Sequence, residues 1–286
     1  MSRSSVLEKI EQSEREGVFD RHVDPIPREL VIPVTEKYRY ISKRTLPEKI
    51  KYALEKFFIV KPFTVYENKA VLKTRYEGRE NLHGLRAAVL TCNHVAKFDC
   101  LAVKYGARGH RTFVVAAPFN NMRGSLGEFM RAGDMLPMSE TMAGLRNFNE
   151  AVKEVLEKRK DFLLVYPEGS MWWMYDKVRP YKDGAFVIAV KYNVPVVPQF
   201  ITYREGKKVD EEGIREKYFT VHITPPIYPR AGLSRKENIE YLRKSAYEAC
   251  RDVYEKEYGR KLEYTCGDVA YDGTIREQIH DSSGDM

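Results

Sequence analysis

Short apolar segments alternate with helical segments through the middle of the chain. Segments rich in Val, Leu, Ile and Phe predict strands, whereas longer segments with apolar residues three or four apart predict helices. The predicted strands cover residues 87–91, 111–116, 135–138, 162–166, 194–202 and 218–223. The predicted helices cover 127–131, 143–159, 184–192 and 237–258, with another that begins near residue 98. This alternation predicts an α/β fold with a mixed, partly parallel sheet flanked by helices.

The amino-terminal part divides into two segments. Residues 1–35 are polar, and Pro25, Pro27 and Pro33 argue against a helix, so we expect a polar arm. Residues 36–62 contain an amphipathic helix that Thr45 can cap, with apolar residues at helical spacing and lysines among them. Such a basic amphipathic helix is typical of a segment at a membrane interface, although a helix packed on the domain would show the same pattern.

Residues 63–260 are expected to form the main domain. Residues 261–286 are rich in Gly, Ser and Asp and are expected to form a loose tail. Pro195 and Pro198 bracket the apolar strand segment near the end of the sheet pattern. Because proline is disfavoured in central strands, we expect this strand to lie near an edge or to begin at Pro195.

Charge and composition narrow the function only partly. The 48 basic and 41 acidic residues give a net charge of +7, which suits an anionic membrane or a polyanionic ligand such as coenzyme A. No nucleic-acid motif accompanies this mild basicity, so no nucleic-acid partner is expected. The sequence has neither an apolar run of the roughly 18 to 20 residues that span a bilayer nor a secretory signal pattern.

Cysteines and histidines give no sign of a metal centre. The four cysteines lack a Cys-x-x-Cys pair and are interpreted as reduced thiols of a cytosolic protein. The six histidines are scattered singly, so no metal and no cofactor is expected.

The first candidate catalytic residues follow the strand at 87–91. His94 falls in the loop, and Asp99 falls five residues later in the first turn of the next helix. In an open α/β sheet, ligands bind outside the carboxyl ends of the strands. A neutral imidazole there can take the proton of an attacking alcohol, while a carboxylate fixes its tautomer and stabilises the imidazolium. The pair predicts a general base whose nucleophile is the hydroxyl of the substrate.

Other interpretations of this motif remain open at the level of sequence. A lone histidine near a helix start is often a structural hydrogen bonder. Alternatively, Cys92 could be the nucleophile of a thiol hydrolase with His94 as its base, although Cys92 should lie inside the strand end. A noncatalytic protein that binds membranes through its basic surface is a third possibility.

Four ordered blocks between about residues 80 and 205 resemble those of the lysophosphatidic acid acyltransferase family, the glycerolipid acyltransferases. Order and spacing together make this resemblance far more specific than any single block. The blocks are Asn93-His94-x4-Asp99, Tyr166-Pro167-Glu168-Gly169-Ser170, Arg179-Pro180-Tyr181-Lys182-Asp183-Gly184-Ala185-Phe186 and Val194-Pro195-Val196-Val197-Pro198.

The resemblance implies a fold, a reaction and a location. It implies a glycerolipid acyltransferase-like sheet and transfer of a fatty acyl group from acyl-CoA or acyl carrier protein to a lysophospholipid such as 1-acylglycerol-3-phosphate. It also implies a peripheral position on the cytoplasmic, inner face of the membrane. His94 would be the general base and Asp99 its partner, with Glu168, Gly169 and Ser170 in the acceptor site.

The sequence departs from the family at the positions associated with the acceptor phosphate. The family's Glu-Gly-Thr-Arg run ends in Met171 here, and the Arg expected after the strand at 135–138 is Ser139. No neutral side chain replaces a bidentate arginine. Either other basic residues form the clamp, or the acceptor is a lipid alcohol without a terminal phosphate. The candidate basic residues are Arg123, Arg131, Lys177, Arg179 and Lys182.

Overall fold

A mixed seven-stranded sheet with helices on both faces forms the centre of the molecule. The computed structural model describes residues 2–276. The strands of this sheet lie in the order β1-β7-β6-β2-β5-β3-β4. They are β1 (Arg75–Glu77), β2 (Ala88–Thr91), β3 (Thr112–Ala116), β4 (Met135–Pro137), β5 (Phe162–Val165), β6 (Val196–Val209) and β7 (Arg215–Ile223). All neighbouring pairs are parallel except β6 with β7, so the mixed, mostly parallel sheet is confirmed.

The described residues form eight α-helices, of which α6, α7 and α8 contribute to the core on one face of the sheet and α4 to the core on the other. They are α1 (Arg3–Arg15), α2 (Leu46–Glu55), α3 (Lys61–Tyr66), α4 (Asp99–Gly106), α5 (Gly124–Ala132), α6 (Met142–Lys153), α7 (Gly184–Tyr192) and α8 (Arg235–Tyr258). Short 3₁₀ turns cover Arg28–Leu30, Ile41–Lys43, Arg79–Leu82 and Pro118–Asn120, and wide π turns cover Lys56–Val60, Glu67–Val71 and Glu154–Arg159. None of the helices described is long and apolar enough to cross a bilayer.

The predicted amphipathic helix is present and longer than expected. A capping box formed by Thr45 and Glu48 starts α2, which continues through a π turn into α3 and a second π turn. We call this continuous segment, residues 46–71, the long helix. Pro62 does not end it, because the widened turn over 56–60 precedes the proline and displaces the carbonyl that its ring would meet in a regular α-helix.

The amino-terminal segment is not a simple arm. Ser2 caps α1, and the side chains of Val6 and Ile10 are buried against Trp172 and Tyr264. The prolines that argued against a helix all follow α1, so they break the chain only after residue 24. This corrects the expectation of a polar arm without a helix.

The carboxyl-terminal segment is also ordered up to residue 276. Tyr264 is buried and donates a hydrogen bond to the carbonyl of Val178, and a small hairpin joins Asp268–Val269 (β8) with Ile275–Arg276 (β9). The expected loose tail therefore packs on the domain over 261–276. Its remainder, residues 277–286, lies outside the described residues.

The strand that contains Pro198 lies inside the sheet rather than near its edge. It begins at Val196, directly after Pro195, and pairs with both β2 and β7. The carbonyl of Pro198 accepts hydrogen bonds from the N–H and the hydroxyl of Thr224, at 2.9 and 2.8 Å. Because β7 ends at Ile223, Pro198 lies at the end of the pairing between β6 and β7.

Candidate active site

His94 and Asp99 meet at the carboxyl end of β2. The Nδ1 atom of His94 lies 2.9 Å from Oδ2 of Asp99. The imidazole remains 25% exposed, whereas the carboxylate is fully buried. An ionised carboxylate can only accept hydrogen bonds, so the proton of the neutral ring lies on Nδ1 and the lone pair lies on Nε2. The arrangement presents a proton acceptor toward solvent with a carboxylate behind it.

The turn between the two residues fixes this carboxylate. Oδ2 of Asp99 also accepts the N–H groups of Val95 and Ala96, at 2.7 and 3.0 Å. The hydroxyl of Tyr166 donates to Oδ1 at 2.5 Å. Burial and then the charge of Asp99 raise the pKa of Tyr166, so its hydroxyl stays protonated as a donor. Four donors therefore hold one carboxylate in a single orientation.

Tyr166 also supports the base directly. Its ring stacks on the His94 imidazole, with centroids 4.0 Å apart and an interplanar angle of 16°. The sequence placed Tyr166 at a strand end but gave it no role, because its contact with Asp99 joins segments that follow two different strands, β5 and β2. The His-x4-Asp motif follows β2, and Tyr166 follows β5, the parallel neighbour of β2. A polar residue at the end of a neighbouring strand was therefore the sequence feature that could have predicted this contact.

Asn93 anchors the start of the same loop. Its amide donates to the carbonyl of Ile201 at 3.0 Å and its Oδ1 accepts the N–H of Ile201 at 2.7 Å. This two-way bond ties the end of β2 to β6. It holds the backbone from which His94 projects.

Glu168 and Arg179 form a buried ion pair behind His94. Arg179 Nη2 lies 2.5 Å from Glu168 Oε2, and each side chain is 1% exposed. The other Glu168 oxygen accepts the N–H of Arg179 at 3.1 Å, and Oε2 also accepts the N–H of His94 at 3.1 Å. The guanidinium further donates to both the hydroxyl and the carbonyl of Ser170 and to the carbonyl of Phe19. The pair thus supports the loop that carries His94 from inside the protein.

Glu168, Ser170 and Arg179, which were predicted to contact the substrate, all lie inside the protein in this structure. All three side chains are buried, and protein atoms occupy the donors of the guanidinium. Arginines are mostly exposed in proteins, so the sequence predicted an exposed Arg179. Its partner Glu168 lies eleven residues away, and only the tertiary fold shows that the two are buried together. In this arrangement the three residues support the loop that carries His94.

The remaining predicted basic residues divide between interior and surface. Arg131 is buried and binds Asn121, Glu128 and the carbonyl of Met122. Lys177 pairs with the buried Glu14 of α1. The side chains of Arg131 and Lys177 are therefore bound to other parts of the protein.

Lys182 and Arg123 keep exposed side chains. Lys182 pairs with Asp20 at 2.7 Å and lies against Gly169, whose φ of +82° allows the turn that brings them together. They remain available as acceptor contacts.

A groove of about 700 Å³ borders the catalytic loop. Residues 95–98 form one wall, and Met171, Trp173 and Met174 form another. Within the Met171–Met174 run, Trp172 differs: it is fully buried, and its N–H groups donate to the carbonyls of Arg21 and His94. One residue of this run is an anchor, and the others face the groove.

Cys92 is unsuited to nucleophilic catalysis. It is fully buried, and burial, with the charge of Asp99, raises the pKa of its thiol well above the usual range. A thiolate is the reactive form, so the thiol-hydrolase alternative has no support in this geometry.

Comparison with known proteins agrees with the site. Residues 73–202, which include the entire His94 corner, match the family model described as Acyltransferase. The segment is therefore an acyltransferase domain, and the protein is an O-acyltransferase. The matched segment contains all four ordered motifs that resemble those of the lysophosphatidic acid acyltransferase family.

One solved structure is similar to this chain over much of its length. It is the 1-acyl-sn-glycerophosphate (LPA) acyltransferase PlsC from Thermotoga maritima, with 18% sequence identity and a TM-score of 0.47. The alignment covers 77% of this chain and 98% of that one. No curated protein sequence matches the chain.

Proposed function

We propose that the protein moves a fatty acyl group from acyl-CoA or acyl carrier protein to the hydroxyl of a lysophospholipid, such as 1-acylglycerol-3-phosphate, in phospholipid biosynthesis. The observation that carries this proposal is the exposed Nε2 of His94, with Asp99 bound to Nδ1, inside an acyltransferase domain. The groove beside the catalytic loop, which is mostly apolar, supports a lipid substrate.

His94 and Asp99 supply the proton transfers of the proposed reaction. Nε2 of His94 takes the proton of the acceptor hydroxyl as its oxygen attacks the thioester carbonyl. The carbonyl oxygen becomes an oxyanion, and its collapse breaks the carbon–sulfur bond and expels the thiolate. The imidazolium, stabilised by Asp99, returns its proton to that thiolate, so the base is regenerated.

The oxyanion requires donors that are not already engaged. The N–H groups of Val95 and Ala96 bind Asp99, and the N–H of Gly169 points to the carbonyl of Tyr166 at 3.3 Å. We therefore place these donors on the backbone near Phe98, at the start of α4, rather than at the Gly169 turn. Donors aimed at developing charge commonly contribute a few kcal/mol to such reactions.

The acceptor headgroup has two candidate chemistries. Lys182 and Arg123 are exposed and support a phosphate-bearing acceptor. A lipid alcohol without a terminal phosphate is favoured by the engagement of Arg131 and Arg179 inside the protein and by Met171 in the groove wall.

We further propose that the protein acts at the cytoplasmic, inner face of a membrane and docks through the long helix. Its exposed apolar side chains have no protein partner in the described chain that covers them, and lysines flank them. They are Leu46, Ile50, Leu54, Phe57, Phe58 and Ile59, each at least half exposed. Phe63 of the same helix contacts Phe98 of the catalytic loop, with ring centroids 5.4 Å apart, which supports a site close to the docked face.

An acceptor panel tests the proposed function. Purified protein is given labelled acyl-CoA or acyl carrier protein together with lysophosphatidate, a neutral monoacylglycerol or no acceptor. Transfer to lysophosphatidate above the neutral lipid supports the phosphate-bearing acceptor, and the reverse order supports the alternative. Absence of transfer to every acceptor by the wild type, with vesicle binding retained, would indicate a noncatalytic membrane-binding protein instead.

A further inference from the structure

Two carboxylates and an imidazole converge on one side of the sheet, in a cluster that shares no residue with the His94 site. Glu77 is the last residue of β1 and lies in register with His222 of the parallel strand β7. Glu257 comes from the last turn of α8. His222 Nδ1 lies 3.2 Å from Glu77 Oε2, and Nε2 lies 3.9 Å from Glu257 Oε2. One ligand atom from each of the three residues lies within 4.8 Å of the other two.

The two carboxylates of this cluster lack a directly bonded basic partner in the described part of the chain. Among the ion pairs of residues 2–276, neither Glu77 nor Glu257 has a lysine or arginine partner; both pair only with His222. Two carboxylates that flank one imidazole suit a divalent cation.

A second interaction holds the imidazole as metal-ligating histidines are commonly held. The Oγ1 atom of Thr202 lies 2.8 Å from Nε2 of His222, and both residues are buried. A ligating histidine usually donates its second ring N–H to a fixed acceptor, which sets the tautomer and the ring orientation. Thr202 can accept from Nε2, so the lone pair of Nδ1 faces Glu77, and an ion bound at Nδ1 would lie between the two residues.

We propose that Glu77, His222 and Glu257 bind one divalent cation of the zinc type. One nitrogen and two carboxylate oxygens favour Zn²⁺ over Ca²⁺ or Mg²⁺, which prefer all-oxygen sets, and over Cu⁺, which prefers thiolates. Bonds of about 2.0 to 2.2 Å require the ligand atoms to approach to roughly 3.3 Å of one another. The two glutamates are 55% and 31% exposed and can turn toward the ion. The ion would fasten the edge strand β1 and the end of α8 to β7.

Zinc and cobalt binding to the full chain test this site. With chelators removed, isothermal titration with ZnCl₂ is expected to give one Zn²⁺ per chain, and Co²⁺ is expected to give visible bands without thiolate charge transfer. Glu77→Gln and Glu257→Gln each remove one anionic ligand on an exposed side chain, so the fold should persist. We expect each to weaken Zn²⁺ binding at least tenfold.

Glu248→Gln, on the same helix as Glu257 but outside the cluster, serves as the matched control and should bind zinc like the wild type. No stoichiometric binding, equal affinity in Glu257→Gln and the wild type, or a thiolate spectrum with Co²⁺ each overturns the proposal. The last two results would mark an adventitious ion only. The readout does not depend on acyl transfer, so its failure and that of the proposed function are distinguishable.

Discussion

Two amphipathic segments near the amino terminus differ in whether their apolar side chains are buried. In α1, Val6 and Ile10 are buried against Trp172, at 7% and 3% exposure. In the long helix, Ile50 and Phe58 point away from the domain, at 52% and 67% exposure. Both segments repeat apolar residues at helical spacing, so their patterns alone do not say which one will find a protein partner.

The difference between the two helices lies in what they face. Helix α1 covers the aromatic cluster whose Trp172 binds the His94 loop, so its burial supports the chemistry. The long helix is fastened by its polar side, where Lys56 pairs with the buried Asp134, and it leaves its apolar side outward. A contiguous apolar surface of this kind is typical of an interaction site rather than of a merely unsatisfied core face.

The largest effect is expected from His94→Ala, which should lower acyl transfer without changing vesicle binding. Loss of the proposed general base should lower kcat/KM for acyl transfer by a factor on the order of 10³ or more. Vesicle co-sedimentation and the circular dichroism spectrum should not change, because His94 does not contact either helix's apolar side. Near-wild-type transfer by this variant would end the assignment of His94 as the base.

Asp134→Asn is expected to loosen the attachment of the long helix. The change leaves Lys56, Arg111 and Lys104 around a neutral amide, and breaking a buried pair in this way costs about 3 kcal/mol. Asparagine tolerates the positive φ of this residue, so backbone strain should not contribute. Urea denaturation measures the loss, with the exposed Glu140→Gln as a control that should shift stability by less than about 0.5 kcal/mol.

The same carboxylate should make stability depend on acid pH. Burial alone would raise the pKa of Asp134, but Lys104, Arg111 and Lys56 outweigh burial and lower it to about 2. The unfolded chain has an aspartate pKa of about 3.9. The contribution is therefore fully present above pH ~4 and is lost as pH falls toward 2. A wild type and Asp134→Asn with parallel stability curves between pH 5 and 2 would contradict this account.

Replacing Phe57 and Phe58 with serine together is expected to weaken docking. Each phenylalanine that enters the interface should contribute roughly one tenfold step in partitioning, so the pair should lower vesicle affinity about a hundredfold. Urea stability and transfer to a water-soluble short-chain acceptor should persist, because both rings are more than half exposed. Leu233→Ser, at a distant exposed site, is the control; equal binding by all three proteins would remove the docking proposal.

The smallest expected effect comes from removing one methylene from each of the two helices, which compares the burial of their apolar side chains directly. Ile10→Val should lower the free energy of unfolding by about 1 kcal/mol, because Ile10 is packed in a core. Ile50→Val should leave it within about 0.3 kcal/mol in the absence of lipid. Denaturation of the two variants side by side provides the measurement, and equal losses would show that the long helix has a protein partner.

The sequence anticipated the elements that its apolar runs mark directly. The helix at 184–192 has the bounds predicted, and the strands at 112–116 and 162–165 differ only at their ends. Strand β1 was missed because its three residues are polar or half-buried, and β6 runs seven residues beyond prediction because its extension is lysine-rich. Pairing with a neighbour, rather than side-chain pattern, makes those residues strands.

At the active site, local geometry was predictable and long-range support was not. A five-residue offset across a strand-to-helix corner sufficed to bring Asp99 onto His94. The burial of Arg179 depends on the carbonyl of Phe19, 160 residues earlier, as well as on Glu168. No spacing pattern in a sequence links groups this far apart. The charge of Arg179 was therefore interpreted as a sign of an exposed side chain.

The contact between Glu14 and Thr265 has a consequence for how the enzyme is made. Their hydrogen bond closes 251 residues of chain, and Glu14 also holds Tyr175 and Lys177 beside the Trp172 anchor. A ribosome must therefore release residues past 265 before this side of the molecule can close. Partly synthesised chains would carry His94 and Asp99 without their full backing, so acyl transfer should begin only after translation has nearly finished.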